Sequence, residues 1–320
     1  MIRTPFTDLT GCRVPLQLSP MSLVSPDLAT AVAKAGALPM LNTRRVSVDY
    51  LVQTLDRVAS STGTRPGVNF LVPFVNKDVV KAVAPHAAIV DFFFGDPDPA
   101  LVELAHAGGA LASWQVGSRE EAVAAERAGC DLMAAQGIEA GGHVRGSIGL
   151  FPLLGEVLDT VRIPVIASGG IGTARSMAAA LAAGAAAVRV GTRFLAAQES
   201  SAHPAYVEAL IRARAEDTVI TETFHVNWPD APHRVLRSCI DAANAFKGEL
   251  VGKGAAAGEE YPIPRFTPPS PNRATVGEIS AMALYAGQSV NAVRRIQPAA
   301  EIVRELSEGA EQLLRACTSF

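Results

Sequence analysis

The sequence is poor in several features that mark function classes. Its 320 residues hold four cysteines, Cys12, Cys130, Cys239 and Cys317, set far apart. No Cys-x-x-Cys or Cys/His spacing suits zinc, and so sparse a scatter fits a reducing compartment. Charged residues make up 18%, the net charge is −3, and no basic stripe occurs, which argues against a nucleic-acid partner. No run of 18 apolar residues is present, so no membrane-spanning helix is expected. The start, Met1-Ile-Arg-Thr-Pro-Phe6, has no apolar signal core. That composition leads us to expect a cytoplasmic protein. Also missing is a Gly-x-Gly-x-x-Gly turn after the first strand-like segment. There Leu18 runs into Ser19-Pro20-Met21-Ser22, which argues against a doubly wound dinucleotide-binding sheet.

What is present is 49% hydrophobic residues and 27 glycines, in a repeating pattern of a short strand followed by a helical stretch. Strands are expected at residues 14–18, 37–41, 67–71, 88–92, 110–114, 131–135, 164–167 and 186–190. The helices between them fall near 26–35, 48–59, 77–84, 99–107, 119–128, 151–158 and 173–183, with a short one after Gly191. Ser25 reads as an N-cap with Pro26 at the first helical position, and Gly36 as the stop. The strands are short, apolar and often β-branched, as strands buried on both faces are. Eight such units in about 200 residues predict an α/β fold, a (β/α)8 TIM barrel.

The pattern changes after about residue 200. Residues 218–224 alternate like an exposed strand, and 227–273 are rich in Pro, Gly, Arg and Asn, with a helix expected over 241–250. The expected division is a barrel from 1–214 plus 276–320, and a smaller substrate or cap region at 215–275, since long loops without a role are uncommon. Helices at 278–284 and 298–316 are expected to pack back on the barrel.

Barrel enzymes place ligands at the C-terminal ends of the strands. Two of those ends carry Ser168-Gly169-Gly170-Ile171 and Gly191-Thr192. Their backbone amides at helix starts suit a phosphate, though singly such glycines also make ordinary tight turns. Asn69 and Gln136 offer amide groups either to a ligand or to the strand ends themselves. Gln136-Gly137-Ile138-Glu139-Ala140-Gly141-Gly142-His143 gathers three glycines and one titratable imidazole after the sixth strand. His143 is the candidate catalytic group, because histidine titrates nearest neutrality. Glu139 either orients it or faces solvent. His86, His106, His203 and His233 read as surface or helix-end residues. Cys130, before the sixth strand, reads as packing. Phe92-Phe93-Phe94 reads as an apolar wall.

These residues resemble the nitronate monooxygenase (2-nitropropane dioxygenase) family of FMN-dependent TIM barrels. The resemblance rests on the 136–143 motif and on Gly67-Val68-Asn69, Phe94-Gly95-Asp96-Pro97, residues 163–172, Val190-Gly191-Thr192 and Ala286-Gly287-Gln288. Ser19 stands where an alanine is more usual before Pro-Met. The resemblance implies FMN, with its phosphate held by Ser168, Gly169, Gly170, Gly191 and Thr192. Met21, Asn69, Gln136, Gly141 and Gly142 would contact the rest of the cofactor, and Gln288 would close the site. His143 would face the substrate in a pocket that includes Ser22, Phe93, Phe94 and Tyr285, with no metal. The implied reaction is oxidation of alkyl nitronates, and of nitroalkanes if His143 acts as a base, with O2 to carbonyl compounds and nitrite. The alternatives are an FMN-dependent NAD(P)H oxidoreductase acting on an enoyl thioester, quinone or enone, with Arg234, Arg237 or Arg273 near the nicotinamide, and a non-catalytic flavin-binding protein. A monomer or homodimer is expected.

Overall fold

The computed structural model describes residues 2–256 and 259–317. Eight strands form one parallel sheet: β1 (Leu16–Leu18), β2 (Met40–Asn42), β3 (Gly67–Leu71), β4 (Ile89–Phe93), β5 (Leu111–Val116), β6 (Leu132–Gln136), β7 (Val165–Ser168) and β8 (Ala187–Val190). From β2 to β8 each strand pairs with the next, and β8 pairs with β1. A bridge between Gln17 and Leu38 closes the ring. There Leu18 N donates to Leu38 O and Leu38 N to Leu16 O, both at 2.9 Å. The molecule is thus the expected (β/α)8 barrel.

The helices on its outside are α2 (Pro26–Lys34), α3 (Val48–Thr62), α4 (Lys77–Val83), α5 (Pro99–Ala107), α6 (Arg119–Arg127), α7 (Leu150–Thr160) and α8 (Ala174–Ala182). The start of α2 is built as its sequence predicts: Ser25 Oγ accepts from Leu28 N at 3.0 Å with Pro26 at the first position. A short helix not expected from the sequence, α1 (Pro5–Thr10), precedes β1 and carries the fully buried Phe6.

Strand side chains alternate between two faces. Val68, Phe70, Val90, Phe92, Trp114, Val188 and Val190 point outward and share one core with Leu28, Leu55, Leu101, Leu153 and Met177 of the helices. The other face fills the barrel. Its lower layer is apolar: Met40, Ile89, Leu132, Ala134, Ile166 and Ala187, joined by Phe6. Two residues further along the same strands, the inward positions turn polar, with Asp91, Gln136, Ser168 and Arg189 all buried. The period of two therefore delivers polar groups to the upper end of the barrel.

Beyond β8 come α9 (Thr192–Leu195), α10 (Pro204–Arg212), β9 (Thr218–Thr221), β10 (His233–Leu236), α11 (Arg237–Ala245), β11 (Leu250–Ala256), β12 (Glu259–Pro264), β13 (Val276–Gly277) and α12 (Ala299–Cys317). A second hydrophobic core gathers Leu23, Leu195, Tyr206, Leu210, Phe224, Val235, Cys239, Ile263, Met282, Leu284 and Val290. Residues 215–275 share this core with α10 and with residues 279–293. Two local expectations fail. The helix expected over 241–250 runs instead from Arg237 to Ala245, and residue 250 already starts a strand. Only a single 3-10 turn, Ile279–Ala281, forms where a helix was expected over 278–284. Pro262 and Pro264 lie on β12, which pairs on one side only, the position where a strand tolerates a missing N–H. The last helix, α12, packs against α8 and α2. Among the described residues no helix is long and apolar enough to cross a membrane.

Candidate active site

A cavity of about 380 Å³ opens at the C-terminal ends of the barrel strands. It brings together Met21, Ser22, Asn69, Phe93, Gln136, Gly141, Gly142, His143, Ser168, Gly169, Gly170, Gly191, Thr192 and Tyr285. Two expected residues do not line it. Phe94 follows β4 with a left-handed φ of 64°, which breaks the strand alternation. Its ring sits behind the site instead, edge-on to His143 and Trp228 at 5.9 and 5.0 Å between centroids. The Gln288 side chain is exposed, and this residue acts through its backbone, whose N donates to Glu139 O at 2.9 Å.

The glycines permit close approach of three segments. A Cβ on Gly141 would collide with the backbone of Ala286 and Gly287, and one on Gly287 would lie 2.8 Å from Gly141 N. The 136–143 loop and the 285–288 segment therefore interlock through glycine on both sides. Gly287 N also donates to Thr192 Oγ1 at 3.0 Å, which ties the segment to the start of α9. Gly169 and Gly170 have φ of 102° and 67°, and a Cβ on Gly169 would stand 2.9 Å from Gly137 O. The two helix starts differ. Thr173 and Ser176 form a capping box that satisfies α8, whereas α9 begins at Gly191 with no side-chain cap. Orphan amides are thus available at α9.

Within the motif, Gln136 Nε2 donates to His143 O at 3.0 Å, and its Oε1 is a buried acceptor with no partner. Both oxygens of Glu139 accept from Leu150 N at 3.0 Å. Its carboxylate caps the start of α7 rather than orienting His143.

His143 stands in an aromatic box. Trp228 stacks on it at 3.8 Å between centroids, with His233 at 5.2 Å and Tyr285 at 5.7 Å. Nε2 is enclosed and without a hydrogen-bond partner. Burial, then His233, then Arg44 push the imidazole down to about 3, so it is neutral at physiological pH. His233 is not a surface residue as its sequence context suggested. It is 1% exposed, because β10 pairs antiparallel with Gly142–His143 and sets His233 opposite His143. Its Nδ1 lies 2.8 Å from Ala231 O. Neither Trp228 nor His233 announces itself in the sequence, since both follow β9, far along the chain from the histidine motif, and the pairing of β10 with Gly142–His143 brings them to the site.

Beneath the cavity lies a charged network that single-residue reading missed. Arg189 donates to Asp91 through Nη2 at 2.9 Å and Nη1 at 3.1 Å, to Gln115 Oε1 at 2.5 Å and, through Nε, to Gln17 Oε1 at 2.6 Å. Asn69 Nδ2 and Ser113 Oγ each donate to Asp91 at 2.8 Å. Asn69 thus spends its amide nitrogen on Asp91. The parallel register that aligns Asn69, Asp91 and Ser113 across β3, β4 and β5 was the one available signal. Arg234, Arg237 and Arg273 do not line the cavity. Arg234 donates to Ile138 O at 2.8 Å, Arg237 is exposed, and Arg273 donates to Gln198 O at 2.7 Å. Cys130 is buried, and burial with the nearby carboxylates pushes its thiol up to about 12, which fits packing.

A barrel with a polar, glycine-lined cavity at its strand C-termini defines an enzyme of the TIM-barrel class. Comparison with known proteins supplies the family. Residues 72–309 match the family model described as nitronate monooxygenase, and the chain belongs to that family of flavin-dependent oxidoreductases. It is 33% identical to nitronate monooxygenase npaC of Metarhizium robertsii over 350 residues, covering 96% of this chain and 94% of that one. It is 34% identical over 242 residues to (3aS,4S,5R,7aS)-5-hydroxy-7a-methyl-1-oxo-octahydro-1H-indene-4-carboxyl-CoA dehydrogenase of Mycobacterium tuberculosis, covering 74% and 67%. The solved structure of FabK from Thermotoga maritima superposes with a TM-score of 0.83 at 31% identity, covering 100% of this chain and 99% of that one.

Proposed function

We propose that the cavity holds FMN and that the protein oxidises alkyl nitronates with O2. Two nitronate anions and one O2 give two carbonyl molecules and two nitrite ions, a balance that needs no external reductant. The residues fit the cofactor. Gln136 Oε1 is a buried acceptor that a ring N–H satisfies. Gly191 leaves room beside Ser19 and Met21, where a Cβ would stand 3.1 and 3.5 Å from their side chains. Gly169, Gly170 and the uncapped start of α9 would hold the phosphate. When bound, FMN supplies electron exchange between the nitronate and oxygen.

The observation that carries the reading is the neutral His143 in its aromatic box. Burial lowers the affinity of this imidazole for a proton, which weakens it as a base toward a carbon acid and favours a donor that arrives already ionised. His143 then serves as a hydrogen-bonding group for the nitronate, while Trp228, Phe93 and Tyr285 keep water away.

The test is the absorption spectrum of the purified protein, followed by anaerobic titration with propyl-2-nitronate. A flavin spectrum bleached by the nitronate, with nitrite released when O2 is admitted, is the expected result. A colourless protein, or a flavin untouched by nitronate, rejects the reading. A second reading, reduction of an enone, quinone or enoyl thioester by NAD(P)H, is favoured by the 34% identity to a carboxyl-CoA dehydrogenase. Rapid anaerobic bleaching by NADPH, without bleaching by nitronate, would select it.

A further inference from the structure

The loop after β2 places two consecutive arginines, Arg44 and Arg45, on the cavity wall. The other arginines around the site have partners: Arg189 binds Asp91, Arg234 binds Ile138 O, Arg145 binds Glu121, and Arg193 binds Glu305. Among the described residues, the guanidinium groups of Arg44 and Arg45 meet no carboxylate or carbonyl, only aromatic faces. Arg44 lies 3.6 Å from the centroid of Phe74, and Arg45 lies 5.5 Å from that of Tyr261.

The loop is held in shape. Arg44 N donates to Asn42 Oδ1 at 2.7 Å, and Thr43 Oγ1 donates to Asn69 O at 2.9 Å. Arg45 has a left-handed φ of 59°. Arg44 is half-buried and Arg45 exposed, which puts the pair at the rim. Burial and then Arg45 push the Arg44 guanidinium down, so its charge is unfavourable there without an anion. Two adjacent cations without a counter-ion, fixed against aromatic faces, form a site prepared for a dianion.

We infer that Arg44 and Arg45 bind the phosphomonoester of an adenine-nucleotide carrier whose reactive end reaches toward His143. A phosphomonoester carries a charge of about −1.5 to −2 at pH 7 and matches the pair, whereas a single carboxylate leaves one cation unpaired. Tyr261, Pro268 and Pro269 line the same cavity and offer flat apolar surface to a heterocycle. The phosphate comes either from the 2′ position of a pyridine dinucleotide or from the 3′ position of a coenzyme A thioester. The inference rests on the second reading, whose dinucleotide or thioester it places, and it is tested by binding without turnover, so it and the nitronate reading can each fail alone.

The experiment is calorimetric titration of the flavin-loaded protein with adenosine 2′,5′-bisphosphate, adenosine 3′,5′-bisphosphate and plain adenosine. At least one bisphosphate is expected to bind at submillimolar Kd while adenosine does not, and the tighter isomer identifies the carrier. Binding is expected to weaken at least tenfold in Arg44→Gln/Arg45→Gln and to recover in part in Arg44→Lys/Arg45→Lys. The single Arg45→Gln variant, altered only at an exposed side chain, reads the same effect if the double variant does not fold. Failure of both bisphosphates to bind, unchanged affinity in the glutamine variants, or loss of the flavin from them would overturn the inference.

Discussion

Gly141 and Gly287 pass backbone to backbone, so that a methyl group on either would fall inside the other's main chain. Through this contact the histidine loop after β6 is locked to the 285–288 segment, and through Thr192 to the start of α9. The expected consequence is that Gly141→Ala and Gly287→Ala each lose at least about 1–3 kcal/mol, the range for overpacking, because the obstructing atoms are backbone. Urea unfolding with flavin release as a second signal checks it. A stability within 0.5 kcal/mol of wild type, on the order of a neutral surface change, would reject the interlock.

The pH dependence follows from the two facing histidines. Burial lowers both His143 and His233, His143 to about 3. Between that value and the ordinary histidine value near 6.5 the unfolded chain binds more protons than the folded one, so stability rises with pH across this window and falls on acidification. The melting temperature of His143→Gln is expected to depend less on pH between 6.5 and 4 than that of wild type. Nitronate turnover is expected to show no ionisation of His143 between pH 6 and 8. A kcat/KM profile with a histidine limb near 6.5 that vanishes in His143→Gln would contradict the neutral assignment.

Asp91 and Arg189 form a buried pair whose partners cannot be removed one at a time. Asp91→Asn leaves a guanidinium uncompensated in the barrel interior, at an expected cost of about 3–5 kcal/mol. The double change Asp91→Leu/Arg189→Met is expected to be less destabilising than the sum of its single changes. A double-mutant cycle by denaturant unfolding measures this coupling, and additivity within about 0.5 kcal/mol would refute it.

Glu139, inside the histidine motif, is expected to matter for the helix rather than the chemistry. Glu139→Ala removes the acceptor of Leu150 N and should cost about 0.5–2 kcal/mol of stability, the range for a lost cap, while the pH profile of turnover stays in place. A shifted profile with unchanged stability would restore the orienting role that the structure takes away.

Much of this molecule is legible in one dimension. The eight apolar strands, their helices and caps such as Ser25 are local, because periodicity and capping involve residues a few positions apart. The strand-end residues Met21, Asn69, Gln136, Ser168 and Gly191 were readable too, since a barrel puts every strand end on one face. The unread part depends on segments distant in sequence. Trp228 and His233 meet His143 only because β10 pairs with Gly142–His143, some 90 residues away in the chain. The floor of Asp91, Gln115, Gln17 and Arg189 exists only because strand register stacks inward positions of different strands in one layer. Phe94 left the cavity through a single left-handed φ, and Gln288 contributes a backbone N–H where its side chain was expected. The sequence by itself determined the barrel, the end at which its cavity opens and the histidine motif, because those follow from local period and strand direction. Only the tertiary structure decided the state of that histidine, because desolvation and the neighbouring charge come from residues that folding alone brings together.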